Sequence, residues 1–367
     1  MRRSIPVIIL VCFVLPIPVL RAEGVDQDKI ITPAGSVALP HVEGRLDHLS
    51  ADAVRQRLFV AALENHSVEV VDLGRGQWLR SLPGICEPQG LLCLPQFRRL
   101  LVCSRGDGTC RSFDLETFQE GSWADLGRNA DNVRFDSRSG TVYVGSDGAG
   151  EAGALTAIGI ESLLPADQGG KPPPRHSPAD LLADRSGRVE PRTEARLKSH
   201  PESFQLAPDG RRIYANMPDD HGIAVIAVTD QGLKLAATWP VTAGERNFPM
   251  AIDPQSPRLF VACRQPARLV CYDTQSGREF SRADCVGDAD DLFYDTETGR
   301  LYVIGGEGYL DVFAVSADAN RLERLARIPT APRARTGLFL PSLHLICVAA
   351  PHTPGREASI LLFRVGR

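Results

Sequence analysis

Carboxylates, histidines and amides stand at matching places along this chain. His48, Gln89, Asp131, Glu202, Asp290 and Thr336 each precede a short apolar run, and Pro249 fills the same place before a seventh. Asn132, Asp291 and Arg335 flank these positions; Glu87, His200 and Asn247 lie just upstream; Arg264 and Glu307 fall in nearby hairpin loops. Brought to one point, such groups have two uses. They could bind a small polar ligand through hydrogen bonds and charge. Alternatively, Asp131, Glu202 and Asp290 could hold a divalent cation while His48 or His200 moves protons in a hydrolase or lyase step. Oxygen-rich ligands favour calcium, magnesium or manganese, and histidines pull toward zinc or iron. A divalent metal is thus the cofactor this set would hold, with a tetrapyrrole on His48 or His200 as the other candidate. Nucleophilic catalysis has no comparable support, because the chain contains no G-x-S-x-G, no haem-attaching C-x-x-C-H and no phosphate loop.

The spacing of the matched positions says what would hold them. Successive gaps are 41, 42, 71, 47, 41 and 46 residues, and all but one fit the roughly 40–50 residues of a four-stranded propeller blade. Each repeat reads as a short strand, an Asp or Pro, a turn, a strand such as "RLFVA", a polar hairpin loop and a third strand. The expectation is an all-β, seven-bladed β-propeller with four-stranded antiparallel blades. Innermost strands line its channel, so the matched residues crowd one mouth. "GSVALPHV" near the start reads as a strand that joins the last blade and closes the ring. Trp78, Trp123 and Trp239 fall on outer strands and read as packing residues; Asp72, Asp114 and Asp273 read as turn formers.

The strands "RLFVA", "RRIYAN" and "RLYVIGG", with "EPQG", "NADNVRFD", "HPESFQL", "NFPMAID" and "GDADDLFYD" ahead of them, carry a resemblance. From Ser36 to Phe363 the chain resembles the YVTN/YncE-like β-propeller proteins. The resemblance implies the propeller fold. It says little about activity, since the family's relatives include binding modules, cofactor-bearing domains of reductases and domains with no assigned activity.

Residues 1–22 read as a secretory signal peptide: Arg2 and Arg3 precede the apolar run Ile5 to Leu20, which Pro6, Pro16 and Pro18 interrupt. Residues 23–35 read as a linker and 36–367 as the propeller, with a polar, proline-rich excursion about 159–192 expected to be mobile. Export to the periplasm or cell exterior follows, with no membrane span in the mature chain and a monomer expected. An exported context permits disulfides, and Cys103 with Cys110 or Cys263 with Cys271, each at the ends of one hairpin, could bridge or remain thiols. The net charge of −4 offers no basic surplus for nucleic acid. The expected partner is a small molecule or an envelope protein, and the leading expectation is a non-catalytic recognition module.

Overall fold

The computed structural model describes residues 30–148, 152–164 and 187–366. The stretch read as a signal peptide, residues 23–29 of the stretch read as linker and the Pro-rich centre of the excursion lie outside them. The first strand, β1 (Ile31–Ala38), begins within the stretch read as linker.

Seven antiparallel sheets follow one another around a ring. Blade 1 is β2 (Leu49–Asp52), β3 (Arg57–Ala62), β4 (Ser67–Asp72) and β5 (Gln77–Pro83). Blade 2 is β6 (Pro88–Leu94), β7 (Arg99–Ser104), β8 (Thr109–Asp114) and β9 (Glu120–Asp125), extended by β13 (Arg188–Val189). Blade 3 is β10 (Val133–Asp136), β11 (Thr141–Ser146), β12 (Ala154–Gly159) and β14 (Thr193–Arg196). Blade 4 is β15 (Phe204–Leu206), β16 (Arg212–Met217), β17 (Gly222–Thr229) and β18 (Gly232–Pro240). Blade 5 is β19 (Glu245–Ile252), β20 (Arg258–Gln265), β21 (Ala267–Asp273) and β22 (Glu279–Asp284). Blade 6 is β23 (Ala289–Asp295), β24 (Arg300–Gly305), β25 (Tyr309–Val315) and β26 (Leu322–Pro329). Blade 7 is β27 (Thr336–Leu340), β28 (Leu345–Ala350), β29 (Ser359–Val365) and the returning β1, paired from Ile31↔Val365 to Ala38↔Ser359. This closure ties the first strand to the last and leaves the ring without an open seam.

The apolar strands do not alternate with polar residues because both faces are buried. Leu58, Val60 and Ala62 pack toward blade 7, while Phe59 and Ala61 pack toward blade 2. Every pair of adjacent blades shares one such core. Acids fix the first turns: Asp52, Asp136, Asp253 and Asp295 each accept a backbone N–H two or three residues on. In blades 2 and 7, Pro95 and Pro341 begin the turn instead, which ends on the left-handed Arg98 and His344.

The described residues bear on two local expectations. The excursion from blade 3 is docked at both described ends: Ile160 and Leu163 enter the core between blades 2 and 3, and β13 pairs in parallel with β9. All eight cysteines of the described residues are free thiols. Cys103 and Cys110 do face each other on one rung. Cys263 faces Arg268 and Cys271 faces Phe260. The latter two thiols sit in different inter-blade cores, on opposite faces of their sheet, so they cannot bridge.

Candidate binding site at the channel mouth

β2, β6, β10, β15, β19, β23 and β27 are the inner strands, each adjoining the next around the axis. A β-bulge starts most of them. In blade 1 both Asp47 and His48 oppose Ala61: the Asp47 N–H donates to the Ala61 carbonyl at 2.8 Å, and Ala61 N–H donates to the His48 carbonyl at 3.0 Å. Asp131 and Asn132 likewise oppose Gly145, and Glu202 and Ser203 oppose Asn216. Register shifts between Pro88 and Leu91, Asn247 and Met250, and Ala289 and Asp291 insert the same extra residue in blades 2, 5 and 6. Bulges re-aim side chains, and here they produce two layers.

The upper layer lines a cavity of about 290 Å³ at the mouth: Asp47, Gln89, Asp131, Glu202, Phe248 and Asp290, joined by Arg45, Arg105, His200, Arg246, Arg264 and Arg335. The lower layer lines the channel cavity beneath, of about 330 Å³, and includes Asn132, Ser203, Asp291 and Arg134. His48 borders both cavities. Matching by sequence puts His48 level with Asp131; the bulges make Asp47 the counterpart of Asp131, and Phe248 rather than Pro249 the counterpart in blade 5. Gly90 occupies the lower layer of blade 2, where an added Cβ would collide with the Asp131 carbonyl.

Most of the expected residues meet here: His48, Gln89, Asp131, His200, Glu202, Arg264, Asp290 and Arg335 all border the mouth. Asn132 and Asp291 border the channel instead. Three residues are placed elsewhere. Asn247 is fully buried and donates to Asn216 Oδ1 and the Gly222 carbonyl, both at 2.9 Å, joining blades 4 and 5. Glu307 accepts the Gly287 N–H at 2.9 Å, and Glu87 lies 4.0 Å from Arg105. Arg45, Arg246, Phe248, Asn129 and Asp147 were not singled out. Only the recurrence of charge just before each strand could have flagged Arg45; nothing in the local sequence marks the others.

Asp131 is the hub. Its oxygens lie 3.6 Å from His48 Nε2 and 3.7 Å from His200 Nε2. Burial opposes its ionisation, but the hydrogen bond to His200 and the charges of both histidines and Arg45 hold it below the usual carboxylate range. His200 Nδ1 sits 2.8 Å from Asp147 and 3.2 Å from the Asn129 amide. His48 Nδ1 is 3.7 Å from Asp291, which itself accepts the Gly337 N–H at 2.8 Å; His48 Nε2 is 3.1 Å from the Asn132 amide. Burial alone would lower both histidines, yet the acids around them push each up to about 10. Burial, then the nearby Asp131, raises Glu202 to about 8. Burial lifts Asp47 to about 6 despite Arg45 at 2.6 Å, and lifts Asp290 despite two arginines.

Asp131, His200 and Glu202 each offer a ligand atom within 4.8 Å of the others'. Asp290, the third carboxylate of the expected trio, is not in this group. Asp290 is gripped by Arg264 at 2.6 Å and Arg335 at 3.0 Å.

The fold defines a seven-bladed β-propeller with a charged mouth. Solved structures agree on the fold. The chain matches one from hydrazine synthase of Kuenenia stuttgartiensis with a TM-score of 0.66 and 14% identity over 89% of this chain and 99% of that one. It also matches a chain in a crystal structure of the mitotic checkpoint complex with a TM-score of 0.68 and 13% identity, covering 97% and 99%. No protein-family model matches the sequence, and the curated proteins give no match.

Proposed function

We propose that this protein is an exported recognition module of the YVTN/YncE-like kind that holds a small polar ligand at the channel mouth. One observation carries the reading. The bulged inner strands converge on a single cavity in which the buried Gln89 Oε1 and Asp131 Oδ1 have no hydrogen-bond partner. Unpaired buried oxygens are costly, and a ligand's donors would relieve that cost. The Arg2–Arg3 and Ile5–Leu20 pattern supports export. The two structural neighbours, one from an enzyme and one from a complex, do not choose between chemistry and binding. A thermal-shift screen of small polar metabolites tests the reading. Ligands that raise the melting temperature of the wild type but not of Asp131→Asn support it; ligands that stabilise both equally refute the mouth as their site.

The geometry of Asp131, His200 and Glu202 favours a second reading, a divalent-metal centre. Asp147 holds His200 Nδ1 and leaves Nε2 facing Asp131, an arrangement common around metal-ligating histidines. A metal there would supply Lewis acidity for a hydrolase or lyase step. Elemental analysis of protein purified without chelator, beside Asp131→Asn/Glu202→Gln, decides it: metal lost in the variant supports a centre, and no metal in either rejects it.

A further inference from the structure

We infer that the ligand of the mouth is a small oxyanion, a carboxylate or phosphate, seated on an arc of arginines from blades 5, 7 and 1. This rests on the mouth being a ligand site. Arg246 and Arg264 come from blade 5, Arg335 from the approach to blade 7 and Arg45 from the approach to blade 1, all bordering one cavity. The arc's carboxylates within that cavity are Asp290 and Asp47. The cavity as a whole carries five guanidinium groups, Arg105 included, against four carboxylates, Asp131 and Glu202 lying across the mouth from the arc.

The ion pairs show the same imbalance. Arg264 and Arg335 share Asp290 and also reach the rim residue Asp288, at 3.4 and 3.3 Å. Arg45 pairs with Asp47, but its Nε is buried without an acceptor. Arg246 has no carboxylate partner among the described residues. Its guanidinium lies 5.4 Å from the centre of the Phe248 ring, and that of Arg264 lies 3.6 Å from the same ring. The Arg246 backbone is left-handed, with φ of 57°, a costly conformation for a side chain of this size that the surrounding structure must hold in place. Like charges gathered on one ring repel one another unless an anion sits between them. Planar guanidinium forks match carboxylate and phosphate oxygens in pairs.

The other half of the mouth, from blades 3 and 4, offers Asp131, His200 and Glu202. These suit a hydroxyl or a metal ion at the ligand's opposite end. A volume of about 290 Å³ lies at the small end of the roughly 300–1,000 Å³ typical of ligand pockets, so the occupant is metabolite-sized.

Isothermal titration of the purified chain at low salt, with chelator present, tests this with four probes: inorganic phosphate, succinate, erythritol and putrescine. Phosphate or succinate should bind, and the tighter of the two identifies the oxyanion. Arg246→Gln and Arg335→Gln should each weaken that binding about tenfold or more, with melting temperatures near wild type, while the surface change Asp284→Asn leaves it unaltered. Binding should also weaken as salt rises. The inference is overturned if neither anion binds at millimolar concentration, or if both arginine variants bind as tightly as wild type. In that event, erythritol, putrescine or Mn²⁺ without chelator binding to wild type but not to Glu202→Gln would keep the mouth as a site for another ligand. Silence from every probe would sink both readings.

Discussion

Two sets of buried polar groups, one inside the blades and one at the mouth, use the same residue types to opposite ends. On the third strand of blade 1, Glu69 is fully buried and fully satisfied: Ser67 and Ser81 hydroxyls donate to one oxygen at 2.6 and 2.9 Å, and Trp78 Nε1 donates to the other at 2.7 Å. Asp311, on the same rung of blade 6, takes both prongs of Arg327 at 2.6 and 2.7 Å. Arg111 holds that rung in blade 2, paired with Asp107. At the mouth, by contrast, Asp131 is shared by two histidines at 3.6 and 3.7 Å, and one of its oxygens accepts no hydrogen bond. The first set closes on itself and holds strands together. The second stays open, with proton affinities far from their usual values, which is where functional chemistry concentrates.

Substitutions can break this contrast. The largest expected effect is on stability within the blades. Glu69→Ala strands three donors and should cost about 2–4 kcal/mol. Asp311→Ala should cost about 2–3 kcal/mol, less than a fully buried pair because Arg327 reaches solvent. Urea midpoints measure both, and losses near zero would erase the distinction between the two regions.

Glu202→Gln should do the reverse. The folded state holds the Glu202 proton more tightly than the unfolded chain, at about 8 against the usual 4.5. Its stabilising contribution is therefore complete below about pH 4.5 and disappears as pH rises to about 8. The variant should match wild type near pH 4 and exceed it at pH 9. Parallel profiles would show that Glu202 ionises normally.

A third effect concerns metal. His200 and Glu202 must lose protons to ligate, so Mn²⁺ or Zn²⁺ should bind more tightly as pH rises from 6 to 9. Asp147→Asn should weaken that binding roughly 10–100-fold by releasing His200; calorimetry at several pH values reads both, and pH-independent affinity would place the ion elsewhere. The smallest effect is at β13. Val189→Pro should unzip its two-residue pairing with β9 at a cost of about 1 kcal/mol or less, because few contacts are lost. A larger loss would make the excursion part of the scaffold.

The propeller was legible because each blade repeats the same local chemistry: an Asp or Pro turn, an unbroken apolar strand, a polar hairpin. That strand pattern follows from burial on two faces, as Phe59 and Leu58 show by packing toward different blades. The polar character of the mouth was legible too, since His48, Asp131, Glu202 and Asp290 recur ahead of the strands. Their partners were not. Whether Cys263 can reach Cys271 depends on a register that the hairpin's length does not reveal.

The sequence by itself determined the number of blades and the end of the ring on which charge gathers, because both depend on periodicity and local turn chemistry. Only the tertiary structure decided which residues meet. A bulge shifts a strand's phase by one residue, so it exchanges Asp47 for His48 in the upper layer and sends Asn132 and Asp291 down the channel. The arginine arc likewise unites side chains from blades 5, 7 and 1. It exists because ring closure carries the approach to blade 1 back beside the last blades, a proximity between residues about 200 to 290 positions apart that no local pattern encodes.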